Sequence, residues 1–154
     1  MRHAAALPAA VGATDFDRPL SVSGRAAAVR AARRLSAAGA SVERLLYSPA
    51  RRTRETAELV ARDLSLGENR LVSIPGLYGA SPNAIRQVIE RFHGDARVLM
   101  VIGHNPGLSD FGRELGFRGS LDYLPTAAFW RLPFEVLSWQ QLTRPADATA
   151  AKQG

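Results

Sequence analysis

Three times in this chain a short apolar run stops at a turn and gives way to a segment of helical period. Val42–Tyr47 runs into Ser48-Pro49, Leu71–Ile74 is followed by Ser81-Pro82, and Arg97–Ile102, with VLMVI inside it, ends at Gly103-His104-Asn105-Pro106-Gly107. Repeated strand, turn and helix confine the chain to an α/β architecture with a mainly parallel sheet covered on both faces. In such sheets ligands bind beyond the carboxyl ends of the strands. Ser48, His104 and their neighbours all stand at such ends.

The helical segments carry their own signals. Asp15-Phe16-Asp17-Arg18-Pro19-Leu20 reads as a loop into a helix capped by Ser21 or Ser23. On that helix Ala28, Ala31, Ala32 and Leu35 share one face, Arg30, Arg33 and Arg34 lie opposite, and Gly39 is a C-terminal stop. Ser48-Pro49 predicts an N-cap and first-turn proline for a helix running to about Leu64. Thr53, Ala57, Val60 and Leu64 form its core stripe. Arg51, Arg54, Glu55, Glu58 and Arg62 form its wet face, spaced for i,i+4 ion pairs. Arg52 lies beside Thr56 and Leu59 at the border of the stripe, and an arginine facing a packed region needs an anionic partner. A further helix opens at Ser81-Pro82 and ends near Phe92, and another follows the Gly103–Gly107 turn to about Leu115. Ala127–Leu132 and Val136–Leu142 predict a closing pair of strands. Residues 1–144 are expected to form one domain, and 145–154 a frayed polar tail.

Composition removes several chemistries. A chain of 154 residues with 46% apolar content has room for one domain with a proper core. It has no cysteine, which excludes disulfides, thiolate nucleophiles and cysteine-ligated zinc. The formal charge of +6 is carried almost wholly by arginine, Lys152 being the only lysine. The arginines are interleaved with acids on the second helix, and no nucleic-acid motif or aromatic stacking platform accompanies them, so no nucleic-acid partner is expected. No run approaches the roughly 20 apolar residues of a membrane span. The Ala-rich stretch after Arg2 is interrupted by Pro8 and Gly12, which does not suit a secretory signal, so the protein is expected in the cytoplasm.

The residues at the strand ends allow one chemistry in particular. A phosphoryl group in transfer carries charge on three equatorial oxygens, which the protein must position and neutralise. The arginine fork matches phosphate oxygens, and Arg2 and Arg52 are the candidates. A neutral imidazole nitrogen can attack phosphorus in line and form a covalent phosphohistidine. A second, protonated histidine would add charge and hydrogen bonds, and backbone N–H groups after His104 open a helix that can face an anion. His93, before Gly94-Asp95, reads as a loop residue.

Arg2-His3-Ala4, Asp17-Arg18-Pro19-Leu20 with Gly24, Ser48-Pro49-x-x-Arg52-x-x-x-Thr56-Ala57 and Gly103-His104-Asn105-Pro106-Gly107 occur in an order that resembles the histidine phosphatase (phosphoglycerate mutase-like) superfamily, and within it the SixA-type phosphohistidine phosphatases of bacteria. Leu77-Tyr78-x-Ala80-Ser81-Pro82 and Leu124-Pro125-Thr126-Ala127-Ala128 resemble further segments of its short members. The likeness extends to about Leu142. It implies a three-layer α/β/α sandwich and a metal-independent, cofactor-free phosphatase. His3 would be the phospho-acceptor, Arg2, Arg52 and His104 would complete the catalytic set, and Arg2, Arg52, His104 and Asn105 would bind the substrate phosphate. The partner implied is a phosphohistidine protein, or else a small phosphorylated substrate. A small-molecule phosphomonoesterase and a non-catalytic phosphate- or nucleic-acid-binding module are the alternatives.

Two departures matter. Many members place a carboxylate general acid after the strand that follows the SPxxR helix, yet Asn69 through Ile89 contains neither Asp nor Glu. An alkyl phosphate leaves poorly without a proton donor, whereas a phosphoramidate leaves more easily, which tilts the expectation toward phosphohistidine. Asp15 or Asp17 is a substitute. Members also have a strand before the Arg-His pair, where this chain has only Met1. The first strand is therefore expected to be missing or truncated and the coding sequence to extend upstream.

Overall fold

Residues 1–117, 123–133, 138, 139 and 142 are described by the structure, a computed structural model. Three parallel strands, β1 (Arg44–Tyr47), β2 (Leu71–Ser73) and β3 (Leu99–Ile102), lie in the order β2-β1-β3. Leu46 is opposite Val72 on one side and Val101 on the other. Each strand is a little shorter than the apolar run that announces it.

The chain start lies alongside β3. The Met1 amine donates to the Val101 carbonyl (2.8 Å), Gly103 N donates to Met1 O (3.2 Å) and His3 N to Gly103 O (3.1 Å). On the other side Arg2 N donates to Ala128 O (3.0 Å) and Ala127 N to His3 O (3.2 Å). Residues 1–3 thus hold the position of the expected first strand and are bonded on both sides. His3 is fixed by a ladder rather than hanging from a loose end.

Four helices cover the two faces: α1 (Val22–Ala37), α2 (Arg51–Asp63), α3 (Pro82–Phe92) and α4 (Gly107–Glu114). Alternation along β1 sorts them, because successive strand residues face opposite ways. Leu45, with Met100 and Ile102, packs against Ala28, Leu35, Ala57 and Val60 of α1 and α2. Leu46 packs with Ile85, Ile89, Leu108 and Phe111 of α3 and α4. The result is the expected three-layer α/β/α sandwich. No helix among the described residues is long and apolar enough to cross a membrane.

Local chemistry sets the helix starts. Ser21 is the cap of α1, accepting from Gly24 N at 2.9 Å, and Ser81 caps α3 by accepting from Ala84 N at 3.3 Å. Ala28, Ala31, Ala32 and Leu35 of α1 are buried as their spacing requires. The start of α2 differs from expectation. Its cap position is Ala50, with no side-chain cap, because the Ser48 hydroxyl is engaged elsewhere. Glu55 also departs from its place on the wet face. It is 8% exposed and accepts from Leu20 N (3.1 Å), Arg25 (2.9 Å) and Arg51 (2.8 Å), tying the start of α1 to α2. Burial raises the Glu55 carboxyl, but these partners outweigh it and hold its pKa below the usual value.

The expected closing strands are not seen among the described residues. Ala127 and Ala128 bond the chain start, but 127–132 forms no strand. Most of Val136–Leu142 and the whole of 143–154 lie outside the described residues.

Candidate active site

Every sequence-predicted site residue meets at the carboxyl ends of the strands. His3 comes from the ladder beside β3, Arg52 from the first turn of α2 after β1, and His104 and Asn105 from the turn between β3 and α4. They line a cavity of about 510 Å³ with Arg2, Asp15, Arg18, Tyr78 and Thr126. Asp17 does not line it; its carboxylate is bonded by Thr14 (2.6 Å).

The protonation of His3 follows from its partners. Its Nδ1 lies 2.8 Å from the Ala4 carbonyl, which only accepts, so Nδ1 carries the hydrogen. Nε2 then holds the lone pair, and it accepts from Arg52 Nε at 3.3 Å. Burial, opposed by the Ala4 hydrogen bond, together with Arg52, Arg2 and Arg18, pushes the His3 pKa down to about 4. At neutral pH His3 therefore presents an unprotonated nitrogen to the cavity.

His104 sits with its ring centroid 5.2 Å from that of His3. Its Nδ1 is 3.4 Å from Arg52 Nη2, a donor, and its Nε2 is 2.8 Å from Ser48 Oγ. In the neutral ring Nε2–H therefore donates to Ser48, which is fully buried. Burial first, then His3 and Arg52, lower the His104 pKa to about 3, against a smaller opposing effect of Asp15. A phosphoryl dianion between the rings would reverse that balance and favour a proton at Nδ1.

Arg52 is 6% exposed and its anionic partner is Asp15. Nη1 donates to Asp15 O (2.6 Å) and Nη2 to Asp15 Oδ2 (2.9 Å). Arg18 Nη1 donates to Asp15 Oδ1 (2.9 Å) and Tyr78 Oη to Oδ2 (3.2 Å). The Arg18 hydrogen bond, outweighing burial, with Arg52 and Tyr78 adding to it, holds the Asp15 pKa at about 2. Asp15 is thus an acceptor at neutral pH. As a substitute general acid it holds no proton in this state.

Arg2 donates to Leu124 O (3.3 Å), and its Nε is a buried donor with no hydrogen-bond partner among the described residues. Asn105 lines the cavity while its side chain is bonded inward, Nδ2 to Leu124 O (2.8 Å) and Oδ1 from Ser109 (2.8 Å). Ser109 Oγ also accepts from Leu124 N (2.9 Å). This network pins 124–128 against the site, where Ala127 takes a left-handed backbone (φ 61°). Thr56 ties the backbone after His3 to that of Arg52: its hydroxyl accepts from Ala4 N (3.1 Å) and donates to Arg52 O (2.6 Å). Sequence reasoning did not assign Ser48, Arg18 and Tyr78 to the site, since their partners lie on other elements. Among the described residues no three metal-capable side chains cluster.

These residues can attack phosphorus with an imidazole and surround its oxygens with guanidinium groups. Known proteins resemble this chain in sequence and fold. Residues 1–77 match the model of the histidine phosphatase superfamily (branch 1). An uncharacterised protein of Picosynechococcus sp. is 34% identical over 118 residues, 75% of this chain and 70% of that protein. A candidate phosphohistidine phosphatase SixA from Nakamurella multipartitia is 26% identical with a TM-score of 0.80, covering 100% of this chain and 90% of that one. Another, from Agrobacterium tumefaciens, is 26% identical with a TM-score of 0.71, covering 83% and 84%.

Proposed function

The chain belongs to the histidine phosphatase superfamily and is a phosphatase, and we propose that it takes the phosphoryl group from phosphohistidine on a signalling protein through a covalent intermediate at His3. The observation that carries this reading is the His3 ring itself. Nδ1–H is tied to Ala4 O, Nε2 is free of a proton, and Arg52 lies against that nitrogen. In the first step His3 Nε2 forms a bond to phosphorus, the bond to the leaving nitrogen breaks, and that nitrogen keeps the electron pair. In the second step water attacks phosphorus, the His3 Nε2–P bond breaks, and orthophosphate departs.

Arg2 and Arg52 supply the positive charge that offsets the phosphoryl oxygens, which supports a mechanism independent of metal. Arg2 Nε, buried without a hydrogen-bond partner among the described residues, has donor capacity for a phosphate oxygen. The Asn105 backbone and the start of α4 complete the phosphate side. The lack of any carboxylate from Asn69 to Ile89 supports a phosphoramidate over an alkyl ester. The cavity volume of about 510 Å³ also admits a small phosphorylated molecule, which keeps a phosphomonoesterase of this fold as the second reading. The bacterial sources of the 26%-identical structures support a bacterial origin.

The test is a substrate panel run in the presence of a chelator: a phosphohistidine protein, sugar phosphates and an aryl phosphate. Turnover should be highest on phosphohistidine and indifferent to chelation. Rapid acid-free quenching should trap an acid-labile phosphate that His3→Ala lacks, together with loss of activity. Near-full activity in His3→Ala would refute the intermediate, and preference for sugar phosphates would favour the second reading.

A further inference from the structure

Exposure in the cavity is graded. His104 and Arg52 are buried at its floor, whereas among its lining residues the Asp15 side chain is 54% exposed and Tyr78 is 43% exposed. A phosphoryl group bound between His3, Arg52 and Arg2 carries its leaving group outward, toward the exposed part of the lining that includes Asp15 and Tyr78. Phe16 and Tyr78 meet edge to face with centroids 5.2 Å apart, and Tyr78 meets the His104 ring edge to face at 5.3 Å. The lining therefore joins one carboxylate to one aromatic ring, Tyr78, which Phe16 backs from outside the lining. Asp15 is the only carboxylate among the described residues that line the cavity.

Building on the phosphohistidine reading, we propose that Asp15, with Tyr78, forms a subsite for the leaving imidazole and makes the enzyme select N–H-bearing leaving groups over oxygen ones. Three partners, Arg18, Arg52 and Tyr78, use part of the carboxylate's acceptor capacity of about four sites, leaving an acceptor position toward solvent. A phosphorylated imidazole has two ring nitrogens, one bonded to phosphorus and the other able to carry a hydrogen. In the ring that has taken up a proton from solvent on that nitrogen, the N–H donates to Asp15 and the cationic ring meets Tyr78. When His3 Nε2 attacks, the P–N bond breaks and its electron pair returns to the ring. The ring departs as neutral imidazole with its hydrogen still on the far nitrogen. No proton crosses the site, so none has to come from a general acid. An oxygen leaving group has no N–H to offer Asp15 and departs as an anion with no proton donor to neutralise it.

The decisive comparison is Asp15→Asn against wild type on two substrates, a phosphohistidine peptide and an aryl phosphate. The variant keeps the side-chain shape and removes the charge. The ratio of kcat/KM for phosphohistidine to that for aryl phosphate should fall about 10–100-fold, the size of a hydrogen bond to a charged group, whatever the loss in absolute rate that both substrates share through Arg52. Damage to Arg52 or to the fold would lower both rates together and leave the ratio unmoved. An unmoved ratio, whether both rates fall or neither does, overturns the subsite while leaving the phosphohistidine reading in place. A wild-type enzyme that ignores phosphohistidine and cleaves the aryl ester overturns both.

Discussion

Arg52 commits its donors inside the protein: Nε to His3, Nη1 to the Asp15 carbonyl, and Nη2 to the Asp15 carboxylate and to His104. Arg51 and Arg54, its neighbours in sequence, do not line the cavity; they are about half exposed and pair with the buried Glu55 and the exposed Glu58. Lysine keeps the charge but loses the fork, so Arg52→Lys should lower kcat/KM about 10²–10³-fold, as loss of one preorganised donor does elsewhere. Arg51→Lys and Arg54→Lys should stay within about twofold in turnover, since neither side chain lines the cavity and lysine keeps each charge beside its carboxylate. Parallel kinetics of the three variants check this, and similar losses in all three would refute it. Ser48→Ala leaves His104 Nε2–H without its acceptor, costing about 1–3 kcal/mol in a denaturant melt and lowering turnover by loosening the ring. Full stability with full turnover would show that Ser48 does not orient His104. Helical period alone set Arg52 on the apolar border and demanded an anion. The anion's identity was illegible, because Asp15 lies 37 residues away on a different segment. Ser48 read as a helix cap for the same reason: cap preference is local, and the ring that claims its hydroxyl arrives with β3.

At the scale of elements, α1 reaches the site through one glycine. A Cβ built on Gly24 would lie 2.0 Å from Ala5 O, and that carbonyl accepts from Ser21 N at 2.9 Å. The first turn of α1 therefore rests on the strip that follows His3. Gly24→Ala cannot be absorbed by a side-chain rotation, because the obstructing atom is backbone. Overpacking of this kind costs about 1–3 kcal/mol, and each kcal/mol lowers Tm by about 2–4 °C for a chain of this length. A calorimetric scan should show that drop with reduced turnover; an unchanged Tm would mean that α1 is free to shift. Strand and helix order was legible because the strands are continuous apolar runs and the helices carry 3.6-residue stripes. The burial of Glu55 was not: its spacing matches the wet face, and only the Leu20 amide and Arg25 of other segments draw it inward. The 127–132 segment misled in the opposite way, because its apolar residues pack against the chain start and the core without forming a ladder.

For the molecule as a whole, two imidazoles held neutral beside guanidinium groups tie stability to pH. An ordinary histidine takes up a proton near pH 6.5. In the folded protein His3 does so at about 4 and His104 at about 3. Above about pH 6.5 both rings are neutral folded or unfolded, and they make no difference. As pH falls from there toward about 4, the unfolded chain gains protons at both positions and the folded chain gains neither. The unfolded state binds more protons in this window, so stability falls as pH falls. Asp15, held at about 2 against its ordinary 3.8, adds a loss of the same sign below about pH 4. The expected result is a urea midpoint that declines steadily between about pH 6.5 and about pH 4. His3→Asn and His104→Asn should each flatten that decline, whatever they do to the midpoint at neutral pH, since each removes one of the protons that distinguish the two states. A bound phosphate analogue should flatten it as well, because an anion between the rings lets them take up protons while folded. Wild-type and variant profiles of equal slope would mean that the two histidines titrate normally in the folded protein, and that His3 owes its free nitrogen at neutral pH to nothing in this site.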